Sequence, residues 1–412
     1  MSYSPPLIPN SDACEDFTSM IYDPYSREMQ HDPYPTYQRF RDEEPCHYNP
    51  KMDFYALFRF EDVWEASLDW QGYSSRLGHD LSNRDQPGEP GVIISMDPPR
   101  QNVLRKLVAK GFTPARVDSL EAEMRATARR LLDPLMDREA FDIQAEFGKK
   151  YPMEIIGALV GFPEESRETF REWSDLALSR DPDTGEQAPG AVEAGVKARD
   201  FVREVLEERR REPQDDLMTI LAQSEYQDTD GQTKHLTDAE VVGFITLLGQ
   251  AGAETTAKLI GNALVYLFRD PSLRQRIWDE PHLIPQAIEE LLRFDAPSQF
   301  QGRTAGRTLE MHGVTIPEGA RVALVTGAAC RDEREFDRPD TIDIDRPRNR
   351  QLYFGQGQHF CLGKSLARLE TRIALEELRE RFPHYAIDED DLTRTYQAHV
   401  RGFATVPFRP QR

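Results

Sequence analysis

The stretch from Leu236 to Pro271 constrains this chain most. Thr237 and Glu240 form a capping box and Leu236 can staple onto Val241, so a helix begins there. Pro271 stops it after Asp270. At 1.5 Å per residue the helix is about 50 Å long, enough to cross a molecule through its core. Gln250, Glu254, Lys258 and Asn262 interrupt its apolar residues, which makes it a buried helix and not a membrane span. Its middle, Ala251-Gly-Ala-Glu-Thr-Thr256, works against helix formation. Gly252 costs about 1 kcal/mol relative to alanine, and threonines are poor helix formers. A threonine here can bond back to the carbonyl four residues earlier. A polar, strained patch in an apolar helix points to function.

The second informative stretch is Phe354-Gly-Gln-Gly-Gln-His-Phe-Cys-Leu-Gly363. A lone cysteine follows a glycine-rich loop and stands where a helix begins; Leu362, Leu366, Leu369, Ile373 and Leu378 recur at helical spacing up to Phe382. Free N–H groups and the positive helix end favour a thiolate, so the expectation is a lowered Cys361 pKa and a sulfur ready to bind metal. Gly355, Gly357 and Gly363 let the backbone pass close to something bulky. Cys14, Cys46 and Cys330 are scattered, which leaves no paired spacing for zinc. Phe360 stands where a phosphate-binding loop needs its third glycine.

These two stretches resemble the cytochrome P450 family, the haem-thiolate monooxygenases. The family's loop, Phe-Gly-x-Gly-x-x-x-Cys-x-Gly, is met at every fixed position, and residues 251–256 resemble its Ala-Gly-x-Asp/Glu-Thr motif. The resemblance spans about residues 32–407. It implies haem b with Cys361 as the axial iron ligand, Phe354, Gly355 and Gly363 shaping the haem-binding loop, Gly252 making room for dioxygen, Thr255 hydrogen-bonding it, and Glu254 relaying protons from water. Glu290 and Arg293 resemble the Glu-x-x-Arg pair, with Arg346 as a third arm. Arg105, Arg303 and His359 match family partners of the haem propionates; Gln101 stands where many relatives have histidine, leaving its reach to a propionate open. Arginine suits that task because its fork grips a carboxylate at two points.

No linker divides the 412 residues, so one domain spans 1–412, with residues 1–30 irregular. The fold expected is mainly α with small β-sheets (α+β), the P450 fold, its long central helix over the haem. Helices are expected at 33–42, 97–111 and through much of 117–208, strands at 54–60, 309–316 and 321–325, and an irregular segment at 332–349. A net charge of −21 speaks against nucleic acid as a partner. Four cysteines without paired spacing and the absence of a visible signal peptide or apolar anchor point to a cytoplasmic protein, expected to be a monomer.

By position, Phe244, Leu247, Leu248, Ala251, Ser298, Gln299 and Phe300 are expected to face the substrate, with residues 71–94 and 165–195 as lid and entrance. An apolar pocket favours a lipophilic small molecule. Lys364, Arg368 and Arg372 share one side of the helix after Cys361, and Lys106 and Lys110 one side of an earlier helix. The family takes electrons on that face, so a ferredoxin or flavodoxin with its reductase is the expected source, supplied by NAD(P)H. The reaction implied inserts one atom of O2 into a C–H bond. Two alternatives stay open: a peroxide-driven peroxygenase, and a haem-based sensor or carrier without turnover.

Overall fold

The computed structural model describes residues 21–81, 90–347, 350–397 and 399–411. The long helix forms as its ends dictate, over Asp238–Arg269. The Thr237 side chain accepts from the Glu240 N–H, and the Glu240 carboxylate accepts from the Thr237 N–H at 2.9 Å. At the far end Asp270 caps the next helix, Pro271–Asp279, by accepting from the Leu273 N–H. The helix is buried along most of its length. It packs on Lys150–Val160, Ala191–Arg211 and Lys364–Arg381, the helix behind Cys361.

Five short strands form the largest sheet, in the order Cys46–Asn49, Phe54–Leu57, Arg321–Leu324, Gln301–Ala305, Tyr73–Ser74. Arg321–Leu324 runs parallel to Phe54–Leu57 and antiparallel to Gln301–Ala305, with Val322 opposite Arg303. This register presents Arg303 from the middle of a strand. Tyr385–Ile387, Pro407–Pro410 and Phe141–Asp142 make a second sheet, and three hairpins complete the β-structure among the described residues.

The expected strand at 54–60 is shorter, because Phe60 opens a helix, Phe60–Leu68, whose first N–H is capped by the Asp332 carboxylate at 2.8 Å. That cap comes from a distant segment, so local pattern could not show it. The helix expected at 97–111 runs over Arg100–Val108 and tightens into a 3₁₀ turn, Ala109–Phe112. The N-terminal 1–30 segment is not wholly irregular: Ser26 caps a short helix, Arg27–His31, and Tyr22, Tyr25 and Met29 are buried in a satellite core with Phe40, Phe58 and Phe300. Residues 1–20, including Cys14, lie outside the described residues, as do 82–89 of the expected lid.

Candidate active site

Cys361 sits in a loop tied down by its own backbone. Its N–H donates to the Phe354 carbonyl at 2.8 Å, and the Gly355 N–H donates to Leu352 at 2.7 Å. Gly355 and Gly357 adopt positive φ (69° and 67°), and a Cβ on Gly357 would come within 2.4 Å of the Ser67 carbonyl. Glycine is therefore required at Gly357. The helix Lys364–Arg381 starts three residues after the sulfur, with Gly363 as its N-cap. The expected lowering of the thiol pKa is corrected by the structure. Burial raises it, and the Gly363 N–H with the charges of Arg105, Lys364 and Arg368 offsets only part of that rise. Ionisation of this sulfur needs the charge of a coordinated metal as well.

A cavity of about 280 Å³ opens over the sulfur. Cys361, Phe354, Gly355 and Gly363 line one side; Ala251, Gly252, Thr255 and Thr256 of the central helix line another. The Thr255 hydroxyl donates to the Ala251 carbonyl at 2.8 Å, the back-bond its position in a helix suggests. Gly252 reaches the cavity, but a Cβ there would meet Ile156 at 2.7 Å, so its lack of a side chain serves helix packing. Glu254 does not line the cavity. Its carboxylate is held by Lys258 Nζ at 3.0 Å and Gln397 Nε2 at 2.7 Å. Burial pushes this carboxyl up, but the Lys258 charge and hydrogen bonds from Asp175, Gln397 and Lys258 outweigh it and hold the group well below the usual range. Burial and the Glu254 charge push Asp175 up to about 8.

Arg303 is buried, and its guanidinium donates to the Gly302 carbonyl at 2.7 Å; desolvation pulls its pKa down to about 10. Arg105 also lines the cavity, bonded to the Phe360 carbonyl. Neither has a carboxylate ion pair among the described residues. Burial, then the charges of Arg303 and Arg105, pushes His359 down to about 3, so it is neutral, and its Nε2 lies 3.1 Å from Ser75 Oγ. Unpaired guanidiniums on an interior wall call for an anionic ligand. A thiol, two such guanidiniums and apolar walls together suit an iron porphyrin with its two carboxylates. Gln101 is placed elsewhere: its Nε2 donates to the Gln358 carbonyl at 2.8 Å, bracing the cysteine loop instead of facing the cavity.

Leu247, Leu248, Ala251 and Ser298 line the cavity as expected from position, whereas Phe244, Gln299 and Phe300 do not. Phe244 is packed into the main core, and Phe300 stacks edge-on against Tyr25 in the satellite core. The Gln299 side chain accepts from the Tyr37 hydroxyl at 3.1 Å and donates to the Ala296 carbonyl at 2.7 Å. Residues 165–195, expected at the entrance, do not line the cavity, whereas Ile93 and Ile94 of the expected lid do, together with Phe112. Sequence reasoning missed His79, His399 and Glu370. Glu370 is 1 % exposed, and neither oxygen lies within hydrogen-bonding range of a partner among the described residues. Desolvation drives its pKa well above the usual value, the nearby Thr256 hydroxyl offsetting only part, so Glu370 carries a proton.

Behind the cysteine loop, Arg293 grips Glu290 at two points (2.7 and 2.9 Å) and Arg346 Nε reaches the same carboxylate at 3.2 Å. Arg293 also donates to the carbonyls of Cys330, Pro339 and Thr341. The neighbouring Glu289 holds Arg368 (2.6 and 2.8 Å) and the Tyr353 hydroxyl at 2.7 Å. Arg368 is therefore part of this frame, and Arg372 is engaged by Glu121 and Glu376. This corrects the expected docking stripe: among the described residues Lys106, Lys110 and Lys364 are its cations without an ion pair, Lys364 lying 4.3 Å above the Phe360 ring.

Among the described residues no helix is long and apolar enough to cross a membrane. The Cytochrome P450 family model matches residues 159–410. Cytochrome P450 109 of Bacillus spizizenii is 36% identical over 351 residues, 84% of this chain and 83% of the relative. CYP109E1 from Bacillus megaterium, solved in complex with testosterone, superposes with a TM-score of 0.84 at 29% identity, covering 94% of this chain and 100% of that one. A mutant of P450 EryK in complex with erythromycin B gives a TM-score of 0.84 at 31% identity, covering 93% and 97%. These matches place the chain in the cytochrome P450 family of haem b monooxygenases.

Proposed function

We propose that this P450 hydroxylates a lipophilic small molecule held against the central helix, with electrons from NAD(P)H delivered by a ferredoxin or flavodoxin and its reductase in the cytoplasm. The observation that carries this reading is the cavity itself, which brings Cys361 and Thr255 to facing walls joined by Leu247, Leu248, Ile93 and Phe112. Such a wall binds apolar surface and excludes water. The lipophilic ligands named for two structural neighbours, testosterone and erythromycin B, agree with that chemistry.

Haem supplies the activation of dioxygen when bound, its thiolate ligand favouring O–O cleavage. Cys361 provides that sulfur, and the backbone bond from its N–H fixes the loop. Arg105 and Arg303 hold the propionates, with His359 beside them as a neutral hydrogen-bonding group. Glu290, Arg293 and Arg346 brace the loop from behind. The Thr255 hydroxyl is the polar group of the acid–alcohol pair that reaches the cavity, and it positions protons there. Glu254 can pass a proton toward Thr255 only by leaving Lys258 and Gln397, and the adjacent Asp175 carboxyl is where a replacement proton sits. Lys106, Lys110 and Lys364 steer the electron donor.

The experiment is spectroscopic. The reduced protein with carbon monoxide is expected to show the red-shifted Soret band of thiolate-ligated haem, and Cys361→Ala to lose it. Thr255→Ala is expected to keep haem and ligand binding while diverting electrons to peroxide. Full-rate product formation from peroxide alone would instead make the protein a peroxygenase. Absence of substrate-dependent NAD(P)H consumption across a lipophilic library would make it a sensor or carrier.

A further inference from the structure

We propose that His79 and His399 form a polar contact that binds an sp² oxygen, of a ketone, ester or carboxylate, on the lipophilic substrate. The proposal rests on the reading of the cavity as a substrate site and names the substrate class.

The two imidazoles come from distant parts of the chain and meet in the cavity wall, ring centroids 6.0 Å apart and planes perpendicular. Both lie deep in the molecule yet keep accessible surface, and that surface faces the cavity. His79 is oriented by Ser95, its Nδ1 lying 2.9 Å from Ser95 Oγ, and His399 is anchored through its carbonyl, which accepts from the Gln299 N–H at 2.9 Å. His79 Nε2 and both ring nitrogens of His399 have no hydrogen-bond partner among the described residues. Polar atoms left unpaired on an apolar wall are costly unless a ligand or water meets them.

Several other polar side chains of the wall are already engaged or assigned. Ser298 Oγ accepts from Gln301 at 2.8 Å, and Ser67 Oγ donates to the Val63 carbonyl at 2.6 Å. Thr255 belongs to the oxygen site, and Arg105, Arg303 and His359 belong to the propionates. Three of the four ring nitrogens of the histidine pair have no such engagement among the described residues.

Neutral imidazole donors select an acceptor. His79 faces His399, Asp80, Arg303 and Arg321, and His399 faces Asp80 and Arg180. Asp80 is itself 3.8 Å from Arg180. Burial, foremost, pushes His79 down to about 4 and lowers His399, so both rings are neutral and each offers an N–H at neutral pH.

The test uses the ferric holoprotein and two near-isosteric probe sets: 2-isopropylnaphthalene, 2-acetylnaphthalene and 2-naphthoate, and decane, decan-2-one and decanoate. Binding is read from the haem spin-state absorbance and by calorimetry. In at least one set the oxygenated probe is expected to bind about tenfold tighter than its hydrocarbon. That advantage is expected to vanish in His79→Phe and His399→Phe while hydrocarbon affinity stays within about threefold. Because both rings are neutral, the oxygen preference is expected to be flat with pH around neutrality for ketone and carboxylate probes alike. Equal affinity for hydrocarbon and oxygenated probes in both sets, or an advantage that survives in both variants, overturns the proposal. Absence of an oxygen preference in the wild type, with its thiolate-ligated carbon monoxide band intact, sinks the histidine contact alone. Absence of that band in the wild type sinks the underlying reading of the site.

Discussion

Glu254 and Glu370 are both nearly inaccessible, 4 % and 1 % exposed, yet they hold opposite protonation states. Glu254, on the central helix, has Lys258 one turn ahead and Gln397 across from it, and is ionised. Glu370, on the helix behind Cys361, has no cation beside it among the described residues, only the nearby Thr256 hydroxyl, and keeps its proton. Burial opposes charge equally at both places, and the neighbours decide the sign. The chain thus carries a fixed negative charge behind Thr255 and a neutral acid in the wall of the haem cavity.

The largest expected effect breaks the charged half of this pair. Lys258→Met leaves Glu254 buried without its cation and should cost about 3–5 kcal/mol in urea unfolding of the holoenzyme near neutral pH. Because the Glu254 pKa is depressed in the fold, its contribution is present above 4.5 and lost as pH falls through the folded value, so the penalty should shrink in acid. Glu254→Gln combined with Lys258→Met should recover most of the loss. A penalty under about 1 kcal/mol would mean that Glu254 is not the ionised partner.

Glu370→Gln tests the neutral half. The raised folded pKa lets the unfolded chain ionise first, so wild-type stability falls as pH rises above the ordinary value of 4.5. The variant lacks this term. It should gain on the wild type by about 1.4 kcal/mol for each pH unit above that value, until the folded carboxyl itself titrates. A stability difference that does not change with pH would contradict a protonated Glu370.

The smallest stability effect belongs to the surface. Lys106→Glu with Lys110→Glu should change stability by no more than about 0.5 kcal/mol. The same change should slow electron transfer and reduce its sensitivity to ionic strength, as measured by stopped-flow reduction. Arg368→Glu is expected to behave differently, destabilising the fold, because it sets two carboxylates together at Glu289.

Legibility followed the range of the interactions. The central helix was readable because its cap, staple and stop lie within a few residues of one another. The Glu254–Lys258 ion pair was also readable, since i, i+4 spacing places the two on one face; both residues had been noted without being joined. Phe300 was misplaced because its partners, Tyr25 and Phe40, come from an N-terminal segment whose docking has no local signature. His399 was missed for a similar reason: one histidine in a late loop matters only where another chain segment brings His79 beside it.

The order of residues alone determined where the long helix begins and ends and where a cysteine follows its glycine loop, because caps and backbone freedom are local properties. Only the tertiary structure decided which side chains face the cavity and which buried acids keep their protons. Those outcomes depend on desolvation and on charges contributed by segments far apart in the chain.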